Sequence, residues 1–120
     1  MRATEAEQKI LQLLWECGSL STMQITERLQ EQTGWSKHAV ISFLKRMEAK
    51  GLVSYEEQGR SKYYTPLITK EEFAKEERTS VLKNFYNGKP FLMLSAMAEE
   101  NSLTQEDIAD LKKLLDSLQG

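Results

Sequence analysis

The chain is short of the residues that ligate metals and staple folds. With one cysteine, Cys17, and one histidine, His38, it has neither an internal disulfide nor a four-ligand zinc site of its own. No apolar run exceeds a few residues, so no transmembrane span is expected. The first 17 residues also lack the basic-then-apolar layout of a signal peptide, which leaves a cytoplasmic protein as the expectation. There is no glycine-rich phosphate loop. His38 has no serine or cysteine nucleophile and orienting carboxylate in its local pattern. The acidic pairs Glu71-Glu72 and Glu76-Glu77 fall on a helix surface, where solvation is their ordinary role. No catalytic residue, cofactor or metal is therefore expected, and the chain is not read as an enzyme.

What is present is an uneven distribution of charge within 120 residues, a length that holds one compact domain and a small appendage. The net charge is −2. Residues 34–62 nevertheless carry six basic side chains against three acidic, whereas residues 69–120 carry seven basic against ten acidic. An electropositive working face is expected on the first half, with a different job for the acidic second half.

The organising stretch is residues 34–51, GWSKHAVISFLKRMEAKG. Ser36 is an N-cap and Gly51 a left-handed closing residue, so both ends of a helix are marked. At 3.6 residues per turn Val40, Phe43, Leu44 and Met47 share one side. His38, Ser42, Lys45 and Ala49 lie opposite, with Ile41 and Arg46 on the flanks. A buried face backed by a basic, small-residue face is the format of a DNA recognition helix.

Ahead of it, Thr4 and Glu7 form a capping box for a helix over residues 5–17 that ends at Gly18. Ala6, Ile10, Leu13, Leu14 and Cys17 make one stripe, which points Cys17 inward; Leu11 and Trp15 make a second, expected to lie under a later element or at a subunit contact. Ser19 and Leu20 are expected as a short edge strand. Ser21 or Thr22 caps a helix over 22–32, with Ile25 and Leu29 inward. Trp35 is expected to anchor the turn before the third helix. Afterwards the period changes: Leu52 to Tyr55 and Lys62 to Thr65 read as the strands of a hairpin joined by residues 56–61, with Pro66 stopping the second strand. Three helices and a hairpin are the layout of a winged helix-turn-helix.

The remainder reads as three more helices. Thr69 with Glu72 starts one over residues 70–86, and Pro90 begins another over 90–99, apolar nearly all round and so expected to be buried. Thr104 with Asp107 starts the last, over 105–118. There Ile108, Leu111, Leu115 and Leu118 recur at the spacing of a coiled-coil seam too short to join two chains unaided. With Phe91 and Leu94 they form the expected dimerisation set. The fold class is mainly α with a small β-hairpin: a winged helix-turn-helix in residues 1–68, then a helical dimerisation region in 69–120.

The chain resembles the penicillinase repressor family, which includes methicillin-resistance and copper-responsive repressors. The likeness runs from Glu7 to Trp15 with Gly18, through Ile25, Leu29, Trp35-Ser36, Val40, Leu44, Arg46, Met47, Lys50 and Gly51, to the wing residues Gly59-Arg60 and the closing Tyr64-Thr65-Pro66. It implies a homodimeric repressor. Members typically have threonines where this chain has Ala39 and Ser42, and a proline or similar residue at Lys37, so the operator sequence does not carry over. The Asn-Phe bond cut by a protease in antibiotic-resistance members has no counterpart at Leu94-Ser95-Ala96-Met97; Asn84-Phe85 lies in an earlier helix. Paired C-terminal cysteines, as in copper-responsive members, are also missing. Neither inducing signal is supported, and any regulatory protease stays unidentified.

The expected partners are double-stranded DNA with a palindromic operator and a second copy of the chain, without a membrane. Ser36, Lys37, His38, Ser42, Lys45, Arg46, Lys50, Arg60 and Lys62 are the expected DNA contacts. The competing expectation is a winged helix that docks an acidic protein. Competition by one defined palindromic duplex over random DNA separates the two.

Overall fold

The computed structural model describes residues 3–120. The described chain divides into two compact units, residues 3–77 and Arg78–Gly120. In the first unit, α1 (Glu5–Cys17), α2 (Thr22–Thr33) and α3 (Lys37–Ala49) accompany a sheet of β1 (Leu20–Ser21), β2 (Val53–Gln58) and β3 (Ser61–Pro66). α4 (Lys70–Phe85) begins in this unit. The sheet is antiparallel in the order β1-β3-β2, so the first and last strands of the hairpin are not equivalent: only β3 has neighbours on both sides.

The helices α1, α2 and α3 each start where a polar capping signal places them. Thr4 and Glu7 exchange both capping-box bonds, as do Ser21 and Gln24. Ser36 Oγ accepts from the Ala39 N–H at 3.1 Å. The end of α3 is fixed by Gly51, at φ +77, whose N–H bonds the Glu48 carbonyl while the Leu52 N–H bonds that of Met47. This is a Schellman closure, and it buries Leu52 close behind Met47. The turn into the wing is therefore set by the same residues that end the helix.

Ile10, Leu14, Ile25, Val40, Leu44, Met47 and Val53 make the fully buried centre of the unit. The second stripe of α1 is covered too. Leu11 is buried, and half-buried Trp15 donates its indole N–H to the Ile68 carbonyl at 2.9 Å, with its ring 5.7 Å from buried Phe73. Trp35 packs its ring 4.8 Å from Phe43, as expected of a turn anchor.

Several expectations are corrected. Cys17 is exposed rather than inward; as the last residue of α1 it has left the core-facing arc, and Arg28 Nη1 donates to its sulfur at 3.3 Å. The edge strand is Leu20–Ser21, paired with Tyr64 and Tyr63. The hairpin strands run further than their apolar residues, because Glu56, Glu57 and Gln58 pair with Tyr63, Lys62 and Ser61. Backbone bonds and an opposed Glu57–Lys62 pair extend the ladder where side-chain burial no longer does. The six-residue connection shrinks to Gly59-Arg60. Gly59, at φ +64, takes the first central position, where a two-residue hairpin turn of type II′ needs glycine.

The second unit holds the rest of α4, α5 (Pro90–Glu99) and α6 (Gln105–Gln119). Thr104 and Asp107 form the capping box of α6. The expectation that α5 is buried fails within the chain: none of its residues is buried, and Phe91 is 75% exposed. An all-round apolar helix needs neighbours on every side, and a unit of so few helices does not supply them.

Candidate nucleic-acid interface

The first unit brings one set of cations together. Between the outer face of α3, the start of α2 and the wing lies an open groove of about 340 Å³. Lys37 and Lys45 enter it from α3, Arg60 and Lys62 from the hairpin, and Ser21, Thr22 and Met23 from the first turn of α2; Glu57 is its one acidic lining residue. The Gln24 N–H is taken by Ser21 Oγ, but the Thr22 and Met23 N–H groups before it have no helical partners and lie at the positive end of the helix dipole, so they suit an anion as the lysines do. The arrangement can hold a run of phosphates against several donors at once.

Local chemistry stiffens the wall of this groove. The Lys62 ammonium lies 4.3 Å from the centre of the Tyr55 ring, and Tyr55 lies 5.6 Å from Tyr64. Burial pushes the Tyr64 phenol up, with Glu48 and Tyr55 adding to the shift and Lys62 opposing it. It therefore stays a neutral hydrogen-bonding group at physiological pH.

The other expected contacts are placed as follows. Ser36, His38 and Ser42 are exposed on α3 outside the groove lining. Arg46 is 59% exposed at its side chain, with its guanidinium 5.4 Å over the Phe43 ring. Lys50 differs: its ammonium bonds Glu7 Oε1 at 2.6 Å. Neither Arg46 nor Lys50 lines the groove. Two features escaped the sequence reading. The α2 N-terminus at the groove was marked by its Ser21-Gln24 box, whereas the burial of Glu7, beyond its capping role, had no local signal. Among the described residues no cluster of three His, Cys, Asp or Glu side chains suits a metal ion, and no helix is long and apolar enough to cross a membrane.

In the second unit, Leu94, Ile108, Leu115 and Leu118 are exposed along with Phe91, and Leu111 is half-buried. The six expected dimerisation residues thus keep apolar surface in water in the single chain.

Comparison with known proteins gives a consistent picture. The family model described as Penicillinase repressor matches residues 3–117. The chain is 27% identical to the penicillinase repressor of Bacillus licheniformis over 94% of its own length and 88% of the relative's. It is 20% identical to the methicillin resistance regulatory protein MecI of Staphylococcus aureus strain N315, covering 93% and 91% of the two chains. Among solved structures, the DNA-binding domain of the repressor BlaI superposes with a TM-score of 0.54 at 25% identity, over 60% of this chain and 93% of that one. Monomeric Bacillus licheniformis BlaI in complex with the blaP half-operator gives a TM-score of 0.52 at 25% identity, over 60% and 88%.

Proposed function

We propose, on the premise that the chain belongs to the penicillinase repressor family, that it is a DNA-binding transcriptional repressor acting as a homodimer on a two-fold symmetric operator. Residues 1–68 read DNA and residues 69–120 join two copies. The observation that carries the reading is the convergence of Lys37, Lys45, Arg60 and Lys62 with the α2 N-terminus on one groove. That groove takes a phosphate backbone, which sets the register of α3 in the major groove beside it. Ser36, His38 and Ser42 then meet base edges or nearby phosphates.

Dimerisation is what turns this modest surface into an operator reader. Phe91, Leu94, Ile108, Leu111, Leu115 and Leu118 cover one another across two copies, removing apolar surface that one chain leaves wet. With two recognition helices linked, the second half-site is met at an effective concentration of roughly millimolar order. The protein then represses by occupying a site that overlaps a promoter, and it works in the cytoplasm, where that DNA is.

Selection of duplexes from a random library by the full-length protein tests the proposal. Enriched sequences should be palindromic, with half-sites spaced by about one helical turn or a multiple of it. Failure to enrich any sequence would refute sequence-specific reading and leave the winged helix as a protein-assembly module.

A further inference from the structure

A buried carboxylate joins the first turn of α1 to the last turn of α3. Glu7 is 0% exposed. Its Oε1 accepts from the Thr4 backbone N–H at 3.0 Å and from the Lys50 ammonium at 2.6 Å. Its Oε2 is equally buried and has no hydrogen-bond partner among the described residues, while Arg46 Nε stands 3.8 Å from it. Lys50 is the C-cap of α3 and Arg46 lies one turn earlier on the same edge. One carboxylate therefore holds the start of one helix and the end of another.

Stability alone is a poor account of this arrangement. Apolar residues of similar volume pack a junction as well as a buried ion pair does, without the cost of drying a charge. What the pair adds is direction, because a short charge-assisted bond fixes where an ammonium sits. It also adds a charge count. The groove has four cations, and the two on α3 that do not line it are the two beside Glu7. Cations added to a DNA face strengthen binding to every sequence alike, so they raise affinity without adding discrimination, which depends on how the helix is set against base edges.

We propose that Glu7 is a positioning residue for operator discrimination: it draws Lys50 and Arg46 away from the DNA backbone and fixes the last turn of α3, so that the helix meets base edges in one setting. The proposal rests on the repressor reading above. Glu7 itself touches no DNA; it acts through the two cations and the helix end they belong to.

The test compares full-length wild-type protein and Glu7→Gln on two duplexes of equal length, the one selected by the wild type and a scrambled one, across a salt series. Affinity for the selected duplex should fall about tenfold relative to the scrambled one, the scale of a lost charge-assisted bond. Affinity for the scrambled duplex should rise, with a salt slope steeper by about one to two per protomer as the released cations find phosphates. A merely structural role predicts that both affinities fall in parallel, and that result overturns the proposal, as does unchanged discrimination. If circular dichroism shows Glu7→Gln unfolded, Lys50→Met carries the test, since Arg46 is left to partner the carboxylate. Discrimination should narrow with the salt slope unchanged, whereas a slope lower by about one per protomer would put Lys50 on a phosphate and overturn the proposal. Wild-type protein that binds both duplexes alike sinks the repressor reading and this proposal with it; wild-type discrimination retained in the variants sinks this proposal alone.

Discussion

Replacing Lys45 with alanine gives the most direct reading of the groove, because its effect is a slope rather than a single affinity. Four cations line the groove in each protomer, so a two-fold dimer presents eight. If each neutralises one phosphate, counterion release gives a slope of log affinity against log salt of about −7. Lys45→Ala removes two of the eight and should leave about −5. Over a fourfold rise from about 50 to 200 mM salt, the wild type should lose about four orders of magnitude in affinity and the variant about three. Fluorescence anisotropy with a labelled operator duplex measures both lines. A variant line parallel to the wild type, or a wild-type slope shallower than about −3, would mean that the groove does not face the DNA backbone.

Three further outcomes follow from other parts of the molecule. Leu111→Asp places a charge on the half-buried position of the α6 seam, so it should give monomers by sedimentation and abolish repression although no DNA-facing residue has changed; a dimeric, repressing variant would detach the seam from assembly. A chain ending after Glu77 should fold as a monomer with much weakened operator binding. One ending at Leu67 should be less stable, because it removes the Ile68 carbonyl bonded by Trp15 and the buried Phe73 beside it; equal melting temperatures would contradict this. Despite the desolvation that raises it, the Glu7 carboxyl is held below its ordinary range by Lys50, the Thr4 N–H and Arg46. Its contribution to stability is thus fully present above the ordinary glutamate range and lost as pH falls through the lower folded value. Glu7→Gln should flatten the acid limb of stability against pH, and an unchanged limb in thermal melts would refute the assignment.

The helices were legible in the sequence because their ends carry local chemistry. Thr4, Ser21, Ser36 and Thr104 all cap where spacing and side-chain type indicated. What was not legible depended on partners distant in the chain. The strand residues Glu56 to Gln58 have no apolar alternation, and only their opposite strand makes them β structure. Cys17 sits at the end of its stripe, where a small drift in helical phase separates buried from exposed. Glu7 looked complete as a capping residue, and nothing nearby in sequence announced that Lys50, 43 residues on, would enter the same carboxylate. For the interface, the lysines on α3 and the wing were visible as charge, but their meeting point with the α2 N-terminus belongs to the fold alone.

The hairpin also behaves as a ruler. Its inner pair, Tyr55 opposite Tyr64, is tied to the core by buried Tyr64, while its outer pairs from Glu56 onward end at a two-residue turn. Lengthening both strands by one residue would turn the new tip to the opposite face, so only additions in twos preserve which side chains look toward the groove. Two residues of strand add about 6.8 Å, at about 3.4 Å each. That equals the rise of about two base pairs. The reach of such an arm along DNA is therefore adjustable only in steps, and a variant with one residue added to each strand should lose more contacts than one with two.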